Sequence, residues 1–341
     1  MTKDGVNIAM IVLAREARGL AQNELAERIG MSATNLSKIE RGDIGISDGS
    51  VEAIADATGY PPHFFHQQGI PVPENFTFRK RHHVAQKLLT PIHAQANIHR
   101  RHVQFFTRAL SIAAPNLPDL ARCTPAEAAT QLRKLWGITN PVIDNLTRLL
   151  EAQGIPVVPF NFGTDRVDSR SMHTDDDYPV IFINNALLGD KLRFSLAYEL
   201  GGLVMHAGSE LSPDHDLSHE ANAFAAEWLM PAEHIRKDFE GGITLPILGS
   251  LKKKWKVSMI SLLYRADDLG FLSPNQKRYL LQQFNAAGIR RREPVELDVP
   301  VEKPSLMKQW ITSYRAKTGL GTLELATILC LHVDEFIELY S

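Results

Sequence analysis

The chain has 341 residues, 44% of them hydrophobic and 22% charged, a balance with room for two or three soluble domains. No apolar run approaches bilayer length, and the N-terminus carries an amphipathic helical pattern instead of a secretory signal. Two distant cysteines, Cys123 and Cys330, without C-x-x-C spacing suit a reducing cytoplasm and argue against a disulfide scaffold; the net charge of −2 gives the whole chain no nucleic-acid signature.

In chain order, residues 7–67 read as five short helices. Gly19, Gly30, Gly42 and Gly59 act as stops, Ser32 and Ser47 or Asp48 as caps, and Pro61-Pro62 opens the last helix. An extended piece follows Pro71 and Pro73, then a basic helix over about 84–112. From Asn75 to Pro118 there is no Asp or Glu, against seven Lys/Arg and five His. Such local charge implies either a polyanion or an acidic surface of the same assembly. Residues 125–153 give two helices. Ile155–Phe160 and Pro179–Ile183 read as strands joined by a polar loop, 161–178. A helix over 193–206, one over 218–229 and a largely helical stretch over 246–283 come next. Arg290–Lys303 reads as an extended charged linker, and 304–341 as two or three final helices forming a dimerisation or docking unit. No internal repeat is expected. The expected domains are 1–70, a basic linker helix at 71–120, a third unit at 121–290, and a linker with a helical tail at 291–341. The fold class is mainly α, with one α+β domain holding a small sheet.

Gly19-Leu-Ala-Gln-Asn-Glu-Leu-Ala-Glu-Arg-Ile-Gly-Met-Ser-Ala-Thr-Asn-Leu-Ser-Lys-Ile-Glu-Arg-Gly42 resembles the helix-turn-helix of XRE-type, Cro-like transcription factors. Leu25, Ala26, Ile29, Leu36 and Ile39 fall at the packing positions. The resemblance implies that Gln22 meets phosphate and buttresses the recognition helix. It also implies that Ser32, Ala33, Thr34, Asn35, Ser37 and Lys38 face double-stranded DNA, with Thr34, Asn35 and Ser37 able to bond base edges or phosphate. Residues 1–70 hold six Lys/Arg against nine Asp/Glu, so this domain alone should bind DNA weakly. Arg79, Lys80 and Arg81 could supply further phosphate contacts; the competing reading makes the basic stretch an anchor for acidic residues elsewhere in the chain.

Arg193-Phe-Ser-Leu-Ala-Tyr-Glu-Leu-Gly-Gly-Leu-Val-Met-His206 resembles the active-site helix of a zinc peptidase, with Tyr198 and Gly202 in place of the two histidines of H-E-x-x-H. A phenol is a poor zinc ligand near neutral pH, and glycine has no ligating side chain. With Leu132–Ile138, Pro141–Val157, Pro179–Asn185 and Glu220–Pro231, the stretch is similar to the ImmA/IrrE metallopeptidase-like family. That resemblance maps a third, carboxylate ligand onto Glu220 and a would-be base onto Glu199. The departure at both histidines implies a vestigial site of Tyr198, Glu199, Gly202 and Glu220, without metal, cofactor or catalysis.

These readings combine into a cytoplasmic, homodimeric transcriptional regulator, a repressor by default, that binds an operator and meets a small-molecule or protein effector at the cleft. The alternative is an active metallopeptidase that cleaves a repressor or itself through a relocated metal site at His215, His219 and Glu220.

Overall fold

The computed structural model describes residues 5–72, 79–80, 84–206 and 216–340. Each helix of the N-terminal domain starts where a side chain satisfies its free amides. Asn7 caps α1 (Ile8–Ala17). The Glu24 carboxylate reaches back to the Ala21 N–H at 2.7 Å to open α2 (Gln22–Arg28). Ser32 caps α3 (Ala33–Arg41) and Ser47 caps α4 (Asp48–Thr58). The expected fifth helix is a tighter 3-10 turn, Pro62–His66. Leu25, Ala26, Leu36 and Ile39 are buried with Met10, Ile11 and Leu13, so α2 and α3 are fixed against α1.

A two-residue strand, β1 (Arg79–Lys80), precedes α5 (Gln86–Ala109), then α6 (Pro125–Leu135) and α7 (Leu146–Ala152). The sheet continues with β2 (Val157–Phe160), β3 (Val167–His173) and β4 (Pro179–Asn184), in the order β1-β3-β4-β2. Among the described residues only the β2–β4 pair is parallel. The polar segment 161–178 is thus not a plain loop: β3 runs through its middle as a central strand. Its side chains explain why hydropathy hides it. Asp168, Ser169 and Arg170 are all buried between layers, where hydrogen bonding and charge replace apolar packing.

Two helices sandwich this sheet: α5 on one face and α8 (Gly189–Met205) on the other. Successive β4 residues alternate between two cores, Val180 and Phe182 packing with α5, Ile181 and Ile183 with α8. Burial on both faces gives β4 its unbroken apolar run. Behind α8 lies α9 (Leu217–Leu229). A cluster of α10 (Ala232–Phe239), α11 (Leu245–Trp255), α12 (Met259–Asp268) and α13 (Pro274–Ala286) completes that side.

The segment 291–303 is tied down along its length. Glu302 accepts from Arg193 and from the Thr147 N–H at 2.7 Å, and the buried Lys252 ammonium bridges Asp190 and Glu293. The chain then turns into α14 (Leu306–Thr318), α15 (Thr322–Ile328) and α16 (Val333–Tyr340), which pack on α5 and the outer face of the sheet. Among the described residues no helix is long and apolar enough to cross a membrane.

Candidate functional site

Two regions carry the sequence-derived residues. In the first, the start of α3 stands out from the N-terminal domain. Ser32, Ala33, Thr34, Asn35 and Lys38 are exposed and Ser37 is partly so, while Leu36 and Ile39 on the opposite face are buried. Ser32 also does local work: its hydroxyl accepts from the Asn35 N–H at 3.2 Å and fixes the start of the helix.

Gln22 donates its amide to Glu40 Oε2 at 2.9 Å, and Arg15 holds the same carboxylate through Nε at 2.7 Å and Nη2 at 3.0 Å. Arg15, Gln22 and Glu40 thereby lock α1, α2 and the end of α3 together. The resemblance pointed to Gln22 alone; Arg15 and Glu40 give no sign in sequence, because they meet across 25 residues.

Two arginines of the basic stretch are paired with carboxylates inside the molecule. Arg100, fully buried on α5, donates to Asp175 at 2.6 Å, and Arg108 forms a two-pronged pair with Asp176 at 2.5 and 2.7 Å. Arg101 turns to Gln67 and the Gln68 carbonyl. Burial raises the Asp175 pKa, but bonds from Arg100 and Gln104 outweigh it and hold the carboxyl below its usual range. Arg100 and Arg108 anchor the turn between β3 and β4. Arg79 and Lys80 lie on β1, beside β3, and Arg81 falls outside the described residues.

The second region is where α8 packs against β3 and α9. Tyr198 and Gly202 stand one helical turn apart on α8; Tyr198 is buried and Gly202 is partly exposed. A Cβ added at Gly202 would meet nothing within 4 Å, whereas one at the neighbouring Gly201 would lie 2.8 Å from the Phe224 ring. Gly201 therefore lets α8 and α9 approach closely, and Gly202 borders open space.

Glu199 is buried, and both its oxygens accept hydroxyl bonds at 2.7 Å, Oε1 from Ser169 and Oε2 from Ser171. The two serines share one face of β3, two residues apart. They escaped sequence reasoning because their strand looked like a loop. Nearby, His206 Nε2 meets Glu220 Oε2 at 2.9 Å, joining the end of α8 to the first turn of α9. His219 is exposed and its backbone N–H caps onto Asp216, while His215 lies outside the described residues.

This donor set does not fit a peptidase zinc. Such a site takes three protein ligands and leaves a position for water. Here the i, i+4 pair is a phenol and a glycine, Glu199 is engaged by two serine hydroxyls, and Glu220 is hydrogen-bonded to His206.

Residues 11–65 match the family model described as helix-turn-helix, and residues 150–267 match the one described as IrrE N-terminal-like domain. None of the curated proteins matches the chain. The protein thus joins an N-terminal helix-turn-helix domain of XRE type to an IrrE N-terminal-like domain.

Proposed function

We propose that this protein is a sequence-specific transcriptional regulator, a repressor in its default state, whose IrrE-like domain no longer cleaves peptides and serves as a sensor or docking module. The observation that carries the second half is the engagement of Glu199. In a working H-E-x-x-H site this carboxylate must reach a metal-bound water. Here Ser169 and Ser171 hold both its oxygens at 2.7 Å, and its neighbours at the ligand positions are Tyr198 and Gly202. A small effector entering beside Gly202 would find open space, the Tyr198 ring and hydrogen-bonding groups. Exposure of Thr34, Asn35 and Lys38 on a helix locked by Arg15, Gln22 and Glu40 supports the first half. A homodimer reading two half-sites about one DNA turn apart is the arrangement such a helix serves.

Mapping bound sites across the genome, followed by gel-shift titration of the recovered DNA, tests this reading. A sequence shared by the sites, and no longer preferred by Asn35→Ala protein, supports it. Binding without any sequence preference overturns it.

A further inference from the structure

The last three helices repeat the first three at a constant register. Ile11, Arg15, Gly19, Leu20, Glu24, Leu25 and Ala26 recur as Ile311, Arg315, Gly319, Leu320, Glu324, Leu325 and Ala326. The backbone repeats with them. Gly19 and Gly319 both end their helices in left-handed conformation, at φ 67° and 74°. The Glu24 carboxylate accepts from the Ala21 N–H at 2.7 Å, and Glu324 accepts from Gly321 N–H at 3.0 Å. α2 and α15 are each 7 residues long. Beyond them the Met31 N–H meets the Ala26 carbonyl at 2.9 Å, and the Leu331 N–H meets that of Ala326 at 2.9 Å. Leu36 and Phe336 then fill the same buried place on the third helix.

The turn itself is the sharpest match. Gly30 sits there at φ 65°, and its counterpart Cys330 adopts φ 56°, a conformation that L side chains rarely take. The helix-turn-helix path requires a left-handed residue at that point, which accounts for the strained cysteine.

We infer that residues 306–340 form a second helix-turn-helix whose third helix has exchanged DNA reading for protein contact, clasping the N-terminal domain. At the positions of Thr34, Asn35, Ser37 and Lys38 stand Asp334, Glu335, Ile337 and Glu338. Three carboxylates on that face would oppose phosphates instead of neutralising them. The contacts run inward. Glu335 pairs with Arg18 at 3.4 Å, the His63 ring meets the Thr327 carbonyl at 2.9 Å, and the Cys330 side chain joins the apolar core of the N-terminal domain. α5 carries both units: Ala94 and Ile98 pack into the first, Val103 and Phe106 into the second. His102 pins the second in place, its ring bonded to the Tyr340 hydroxyl at 2.6 Å and the Leu329 carbonyl at 3.1 Å. The cysteine in place of the turn glycine thus supplies the side chain that reaches the other domain.

The test uses the full chain and hydrogen exchange read by segment. Cys330→Gly keeps the left-handed residue that the turn requires and removes the thiol from the clasp. Exchange over α1 and the 3-10 turn 62–66 should accelerate several-fold in this variant and in Glu335→Arg, while α15 and α16 keep wild-type protection. Unchanged protection of α1 and the turn in both variants overturns the clasp. Loss of structure in α15 and α16 of Cys330→Gly overturns the helix-turn-helix equivalence. As a separate arm, Asp334→Ala with Glu338→Ala should leave the preference for recovered operator sequences as it is in wild type. A changed preference would make α16 a DNA reader and sink the reassignment. This arm alone rests on the DNA-binding reading, and wild-type protein lacking any sequence preference would fail that reading and not the clasp.

Discussion

Ser171 donates its hydroxyl to Glu199 at 2.7 Å, linking a polar central strand to the helix where a peptidase would keep its base. With Ser169 on the other oxygen, the carboxylate is a fixed acceptor within the fold. Hydrogen bonds to a charged group contribute about 1.5–3 kcal/mol. Ser169→Ala with Ser171→Ala should therefore lower the melting temperature, whereas Glu199→Gln should leave DNA affinity unchanged. Purified wild-type protein should contain no stoichiometric zinc and cleave no peptide. Zinc-dependent cleavage abolished by Glu199→Gln would overturn the non-catalytic reading, and zinc lost on mutating His215 and His219 would establish the relocated site.

The two adjacent glycines of α8 should respond oppositely to a side chain. At Gly201 the new Cβ would press on Phe224 from 2.8 Å, so Gly201→Ala should destabilise the protein by about 1–3 kcal/mol in chemical denaturation. At Gly202 there is open space. Tyr198→His combined with Gly202→His should fold and acquire zinc, with Glu220 as the third ligand. A folded double variant with no affinity for zinc would show that the site no longer has the peptidase geometry.

Asn35→Ala and Lys38→Ala both alter exposed side chains on α3 and should leave the fold intact. Where Asn35 reads a base edge, its replacement should cost about 1–3 kcal/mol and relax the sequence preference. Where Lys38 neutralises a phosphate, its replacement should weaken all sequences alike. Gel-shift titrations across operator variants separate the two. Wild-type affinity and preference in the double variant would remove α3 from the interface.

Neutralising Arg79, Lys80 and Arg81 should flatten the salt dependence of DNA binding if they meet phosphates. Arg100 serves as the contrast, since it is buried against Asp175 and its replacement should act on stability alone. A triple variant with an unchanged salt slope and a lower melting temperature would class those three residues with the anchors.

Acid should loosen the packing of the C-terminal unit on α5. Burial lowers the pKa of His99 to about 4 and, with the His99 ring beside it, that of His102 to about 3, from an ordinary 6.5. Both stay neutral in the folded protein where the unfolded chain would already bind protons. Their contribution to stability is therefore complete above pH 6.5 and is lost progressively as the pH falls toward 4, by up to about 1.4 kcal/mol per unit for each ring. Denaturation midpoints between pH 7 and 4.5 should fall more steeply in wild type than in His102→Gln. Parallel slopes would show that other groups govern the acid response.

The sequence alone determined what depends on local order. Caps, glycine stops and a buried-face rhythm placed α1 to α4, and motif spacing placed Tyr198, Glu199 and Gly202 on one helix with Glu220 on the next. The tertiary structure decided the rest, because the deciding partners are far apart in the chain. β3 was illegible while its buried Ser169 and Ser171 lacked the Glu199 they serve, since a polar residue inside a fold is explained only by its partner. The same holds for the basic helix, whose Arg100 and Arg108 look like a polyanion surface until Asp175 and Asp176 are brought against them. The repeat at the C-terminus escaped for the converse reason. Its identities, from Ile11 and Ile311 to Ala26 and Ala326, stand in the sequence but are scattered among residues of changed chemistry, and the folded chain is what shows that they share one backbone path.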